Sequence, residues 1–191
     1  MKKVYVFLAD GFEETEAIFP IDLLIRAGAT VEKVSVTGKK EVTGSHNITV
    51  IADSLFDDNN YNDADMLFLP GGPGHKTLLE HTALIELVKR VNDEKKWLAA
   101  ICAAPMIYGS LGLLDGKAAT CFPGYEQYLK GAVTTGAPYE ISGNFVTGRS
   151  AGTARVFALA MVEALFGKDA SKEVAKAIVP CPRQWRTPFR K

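Results

Sequence analysis

The chain has 191 residues, with 22 acidic and 22 basic side chains and 47% apolar residues, so there is length for one full core and no excess charge. That balance excludes the electrostatic footprint of a nucleic-acid or acidic-membrane binder, and three scattered cysteines (Cys102, Cys121, Cys181) exclude a disulfide scaffold or zinc site. The N-terminal apolar run ends at Asp10 and no run is long enough to span a bilayer, so a soluble, cytoplasmic protein is expected, with no leader and no metal or cofactor.

Val4 to Ala9 is continuous and β-rich, the mark of a strand buried on both faces. From Ala17 the apolar spacing changes to Ile18, Ile21, Leu24 and Ile25, one helical face, with Gly28 suited to its C-terminal cap. Pro20 inside that pattern predicts a kink or a late start. Ala29 to Val36 reads as a second strand, and Glu41 to Ala52 as two short strands around Gly44-Ser45. Met66 to Leu69 is another apolar strand, ending at Pro70-Gly71-Gly72-Pro73-Gly74, and Leu78 to Val91 an amphipathic helix. The run from Trp97 delivers Cys102 to a turn, and a short helix follows from Pro105.

Further on, Lys117 to Phe122 and Asn144 to Thr147 read as strands. Thr153 to Phe166 is the clearest helix, with Val156, Phe157, Ala160, Val162 and Leu165 inward and Gly167 as its cap, and another helix runs from Ala170 to Ile178. Alternating strands and helices imply an α/β sandwich, a mostly parallel sheet with helices on both faces. Residues 1–179 read as a single domain, and 180–191 as a basic, Pro-rich tail carrying Trp185 and Phe189.

In such sheets ligands bind outside the carboxyl ends of the strands. Three unusual features fall there: Gly11 to Glu16, Pro70-Gly71-Gly72, and Cys102-Ala103. A thiol near a helix N-terminus is expected to have its pKa lowered from about 8.5 to roughly 3.5–7.5, although a free cysteine is also a common small core residue. Glycines let backbone N–H groups of residues 71 and 72 approach a ligand, and with the Ala103 N–H they form a candidate oxyanion hole. Glu13 and Glu14 are accounted for by the helix dipole. A carboxyl beside a thiolate differs, because two adjacent anions repel and one keeps its proton. His75 sits just past the glycines, where an exposed loop histidine is the ordinary reading and approach to the pocket the alternative. Arg149 precedes a helix start that suits an anion, or it pairs with a glutamate.

Ala-Ile-Cys-Ala-Ala-Pro after an apolar strand, Pro-Gly-Gly ending the previous one, an early Glu-Glu-x-Glu, and Gly148 to Thr153 leading into Phe157 to Ala160 resemble the ThiJ/PfpI superfamily. Within it the pattern is most similar to the parkinsonism-associated deglycase branch. The resemblance runs from Lys3 to about Gly167 and implies a flavodoxin-like three-layer sandwich (class I glutamine-amidotransferase-like) and a homodimer. It implies Cys102 as nucleophile, Glu16 as its protonated partner, and Gly72 with Ala103 as oxyanion donors. The implied activity is cofactor-independent glyoxalase or deglycase chemistry on small carbonyl compounds or glycated protein side chains. The alternatives are an oxidative-stress sensor or chaperone acting through Cys102, and an intracellular cysteine peptidase or amidase. Against the last, Ala103 stands where the protease branch has a histidine. The deglycase branch often has a histidine near Thr120 to Pro123, where this chain has Cys121 and Phe122. If the Cys121 strand neighbours that of Cys102, Cys121 is a candidate resolving thiol, against the plain reading of a buried inert one.

Overall fold

The computed structural model describes residues 1–179. Its centre is a seven-stranded sheet built on β1 (Lys3–Leu8), whose period-2 side chains serve two cores at once. Val4, Val6 and Leu8 pack on one face, Tyr5 and Phe7 on the other. Parallel to β1 lie β2 (Thr30–Ser35) and β6 (Met66–Leu69), and beyond β6 lies β7 (Trp97–Ile101). The edges are β5 (Ser54–Leu55) beside β2, and the antiparallel pair β11 (Phe145–Gly148) and β10 (Tyr139–Ser142) beyond β7. The order is β10-β11-β7-β6-β1-β2-β5. Between β2 and β5 a small antiparallel hairpin, β3 (Glu41–Thr43) with β4 (Thr49–Ile51), stands apart from the sheet.

Helices α1 (Glu14–Arg26) and α5 (Ala154–Phe166) cover one face, packed on each other, with α6 (Lys168–Ala177) against α5. The other face carries α3 (Thr82–Asp93), through Leu84, Leu87, Val88 and Val91, and α4 (Pro105–Ser110), through Ile107 and Tyr108. This is the sandwich that the alternating pattern implies.

Several boundaries differ from the sequence reading. α1 starts at Glu14, three residues early, because the Glu13 carboxylate accepts the Glu16 N–H at 2.6 Å and caps it. Pro20 lies inside α1 without ending it. The predicted helix Leu78 to Val91 is two, α2 (His75–Glu80) and α3, because His81 takes an extended ψ of 90° and caps α3, its Nδ1 accepting the Leu84 N–H at 3.1 Å. Val156 of α5 is only half-buried, while Ala158 and Met161 are buried. The predicted strand Lys117 to Phe122 shrinks to β8 (Ala118–Ala119), which pairs with β9 (Val133–Thr134) outside the main sheet. β8 is therefore not a neighbour of β7, as the resolving-thiol idea required.

Candidate active site

The carboxyl ends of β1, β6 and β7 are tied together by backbone hydrogen bonds. Glu13 N–H donates to the Gly71 carbonyl at 2.9 Å and Gly74 N–H to the Gly11 carbonyl at 3.0 Å, which joins the α1 entry to the loop after β6. Cys102 N–H donates to the Gly148 carbonyl at 3.0 Å, and the Cys102 carbonyl accepts from Phe122 N–H at 2.8 Å. These bonds hold Cys102 at φ 65°, a left-handed conformation that costs an L-residue about 1–2 kcal/mol. The turn lifts the thiol out of the strand line, leaving it half-buried at the mouth of the sheet.

Two glycines make room for the pair at this point. A Cβ on Gly71 would collide with Glu16 Oε2 and lie 2.5 Å from the Cys102 Cβ. One on Gly72, which has φ 87°, would lie 2.5 Å from both Glu13 N and Gly11 O. Small residues here let the carboxyl of α1 approach the thiol of β7 across the loop after β6.

Glu16 is 1% exposed. Burial, reinforced by the charge of Glu13, pushes its carboxyl up to about 7, against hydrogen bonding with Cys102 and from the Ala151 and Gly71 N–H groups. Burial, then the charge of Glu16 and the hydrogen bond with it, pushes the Cys102 thiol up to about 12, against the N–H groups of Ala103 and Gly72. The expected lowering of the thiol is thus overturned. α4 has only six residues, and its short dipole is outweighed by burial and by the neighbouring carboxylate. The two groups titrate as a unit, losing one proton near 7 and keeping the other to about 12. Glu16 Oε2 lacks a directed hydrogen bond, and no other fully buried side-chain oxygen or nitrogen among the described residues is so placed. An unsatisfied buried oxygen costs roughly 1–3 kcal/mol, the mark of an atom held for chemistry rather than stability.

Cys102, Ala103 and Gly72 floor a cavity of about 260 Å³ whose walls include His75, Phe122 and Tyr125. That is below the roughly 300–1,000 Å³ of pockets for drug-sized ligands and suits a compound of a few heavy atoms. Of the residues singled out in the sequence, Cys102, Gly72 and Ala103 line this cavity, and Glu16 and Gly71 lie directly against Cys102. His75 also joins them and is 4% exposed, against the ordinary reading of a solvent-facing loop histidine. Arg149 does not reach the cavity lining; its guanidinium donates to the Gly136 carbonyl. Cys121 is buried in the core of the opposite face from the one Cys102 packs against, and burial, with the charge of Glu126, pushes its thiol up to about 12. Cys181 and the tail lie outside the described residues.

The sequence reading missed a second function for the acidic cluster. Glu14 is buried and accepts from His46 N–H at 2.6 Å and Ser45 Oγ at 3.2 Å, and pairs with His46 Nδ1 at 2.7 Å, latching the β3–β4 hairpin to α1. Glu13, Glu14 and His46 bring ligand atoms within 4.8 Å of one another, the spacing of a metal site. Glu13 Oε2 is already engaged by the α1 cap, however, and both Glu14 oxygens and His46 Nδ1 by the latch.

The sequence profile of the DJ-1/PfpI family matches residues 2–164. The chain belongs to the DJ-1/PfpI family. It is 39% identical over 184 residues to the DJ-1 homolog B of Arabidopsis thaliana, covering 95% of this chain and 42% of the relative. It spans less than half of that protein and of the DJ-1 homolog A from the same plant, of which it covers 47%. A protein of Pyrococcus abyssi named as a deglycase is 32% identical over 152 residues, covering 78% of this chain and 91% of that one. The solved structure of oxidized DJ-1 from Toxoplasma gondii superposes with a TM-score of 0.90 at 32% identity, covering 95% of this chain and all of that one. The family and the flavodoxin-like α/β sandwich inferred from the motifs are both borne out. Among the described residues no helix is long and apolar enough to cross a membrane.

Proposed function

We propose that the protein is a cofactor-independent enzyme acting on small reactive carbonyls, of the glyoxalase or deglycase type, with Cys102 as nucleophile. The observation that carries this reading is the shared proton of Glu16 and Cys102 beneath a small cavity. In the productive state the proton sits on Glu16 and the charge on sulfur, which the Ala103 and Gly72 N–H groups face. Sulfur attacks the aldehyde carbon of a 2-oxoaldehyde, and an S–C bond forms as the carbonyl π pair moves onto oxygen. The same N–H groups steady that oxygen, and Glu16 delivers its proton to it. Glu16 then carries the carbon-bound proton to the adjacent carbon through an enediol, leaving a 2-hydroxyacyl thioester on Cys102. Water cleaves that thioester and frees the hydroxy acid. The relative named as a deglycase supports the same class of substrate, reactive carbonyls or their adducts on proteins.

Incubation with methylglyoxal tests the reading. Lactate is expected from the wild type and none from Cys102→Ser; no lactate from the wild type, or equal lactate from both, overturns it. A redox role is favoured by one observation, the half-exposed thiol faced by two N–H donors that suit sulfinate oxygens, and by the oxidized state of the Toxoplasma relative. Its test is binding of unfolded client proteins before and after peroxide.

A homodimer is part of the proposal. Ile18 and Phe19 of α1 and Ile48 of the hairpin line one exposed groove, and Ile25 and Ile51 are also exposed, at 55% and 57%. Five large apolar side chains exposed on one helix and the adjoining hairpin are the signature of an interaction surface. A second copy offers a self-complementary patch.

A further inference from the structure

His75 has no part in the carbonyl attack described above, yet it is one of the few buried polar residues of the protein. It opens α2 directly after the glycine loop and lies in the wall of the cavity floored by Cys102. Its Nδ1 is 2.8 Å from the Gly72 carbonyl. A carbonyl only accepts, so Nδ1 carries the hydrogen, and in the neutral ring Nε2 is left as an acceptor. Nε2 has no hydrogen-bond partner among the described residues, and it is not sealed from solvent, since Glu16 Oε2 is the one fully buried side-chain atom without a partner. Tyr125 meets the ring edge-on at 5.6 Å and 82°, restricting its rotation. One residue thus serves both reactive groups: the Gly72 N–H faces the Cys102 sulfur and its carbonyl fixes the His75 tautomer.

We infer that His75 is the base for thioester hydrolysis, its Nε2 taking the proton of the water that attacks a Cys102 acyl group in this cavity. The water oxygen bonds to the acyl carbon as its proton passes to Nε2, and the carbonyl π pair moves to the oxygen held by backbone N–H groups. Collapse re-forms the carbonyl, the C–S bond breaks with its pair returning to Cys102 sulfur, and the carboxylic acid departs. The imidazolium returns its proton to solvent. An imidazole with its Nδ1 hydrogen held by a carbonyl, in the wall of the cavity that holds the nucleophile, is placed for this work, and a positioned base contributes about 10²–10⁴-fold. The assignment rests on the carbonyl reading only for the identity of the acyl group. It separates the labour: Glu16 manages the proton of the sulfur and the substrate carbons, and His75 that of water.

The test uses p-nitrophenyl acetate, which acylates a reactive cysteine without any glyoxalase step. Nitrophenol release gives a burst for acylation and a steady rate for deacylation. For His75→Asn, whose amide nitrogen takes the place of Nδ1 and still donates to the Gly72 carbonyl but cannot act as a base, the burst is expected to match wild type. Steady release should fall about 100-fold, with acetyl-Cys102 seen by mass spectrometry. In His75→Ala, added imidazole should restore deacylation. Equal steady rates in wild type and His75→Asn, or loss of burst and steady rate together, overturn the assignment. Lactate formation from methylglyoxal by the same wild-type sample is scored separately, so the carbonyl reading fails or stands on its own result.

Discussion

At Glu16 a carboxyl sits where water cannot reach it, and the consequence is measurable as pH-dependent stability. Its folded value of about 7 lies above the ordinary 4.5, so the folded state holds this proton more tightly than the unfolded chain. The stability it contributes is full below pH 4.5 and is lost as pH rises through about 7, a change of about 3 kcal/mol. Glu16→Gln should flatten that slope in urea melts and gain about 1–3 kcal/mol over wild type at pH 8, while methylglyoxal turnover falls at least about 100-fold. A variant that is inactive but more stable would identify the buried acid as functional. Gly71→Ala should lose activity for the opposite reason. Its Cβ would occupy the space of Glu16 Oε2 and crowd the Cys102 Cβ, and a displacement of about 1 Å costs on the order of 10²-fold in rate. Cys102 and both glycines were legible in the sequence because each sits at a strand end with a local signature, whereas Glu16 was singled out among the three glutamates only by the family resemblance. His75 was not legible, since burial of a loop residue depends on Phe122 and Tyr125, which arrive from a segment 47 or more residues away.

Between elements, the Glu14–His46 latch governs how the hairpin meets α1. Burial raises the Glu14 carboxyl, but the side-chain and backbone hydrogen bonds from His46 outweigh it and hold the group at about 2. A carboxyl held low contributes stability above its ordinary 4.5, and that stability is lost as pH falls through about 2. Glu14→Ala leaves the exposed Ser45 and His46 donors to water and should cost about 0.5–1.5 kcal/mol in urea melts at pH 7, with hydrogen exchange accelerated first in residues 41–51. Unchanged exchange there would show that the hairpin holds itself. The helix and strand pattern was legible wherever periodicity ran long, as in β1, β6, β7 and α5. The break at His81 and the short β5, β8 and β9 were not, because two- or three-residue elements and a side-chain cap are set by tertiary contacts rather than by period.

For the molecule as a whole, the exposed apolar face of α1 and the hairpin predicts a dimer. Sedimentation should give twice the chain mass for wild type and a monomer for Ile18→Glu combined with Ile48→Glu, and a monomeric wild type would contradict the assignment. The face and the latch share α1 with Glu16, so the proposed assembly and the proposed chemistry meet on one helix. The account of the whole protein nevertheless turns on the single proton shared at the mouth of the sheet. Its most direct test is the pH dependence of Cys102 alkylation by iodoacetamide, in a Cys181→Ser background, with and without Glu16→Gln. The account predicts a wild-type rate that first rises near 7, as the pair loses its first proton, and climbs again only toward about 12, whereas the variant shows a single rise above the ordinary thiol value of about 8.5. A profile that is the same in both proteins would contradict it.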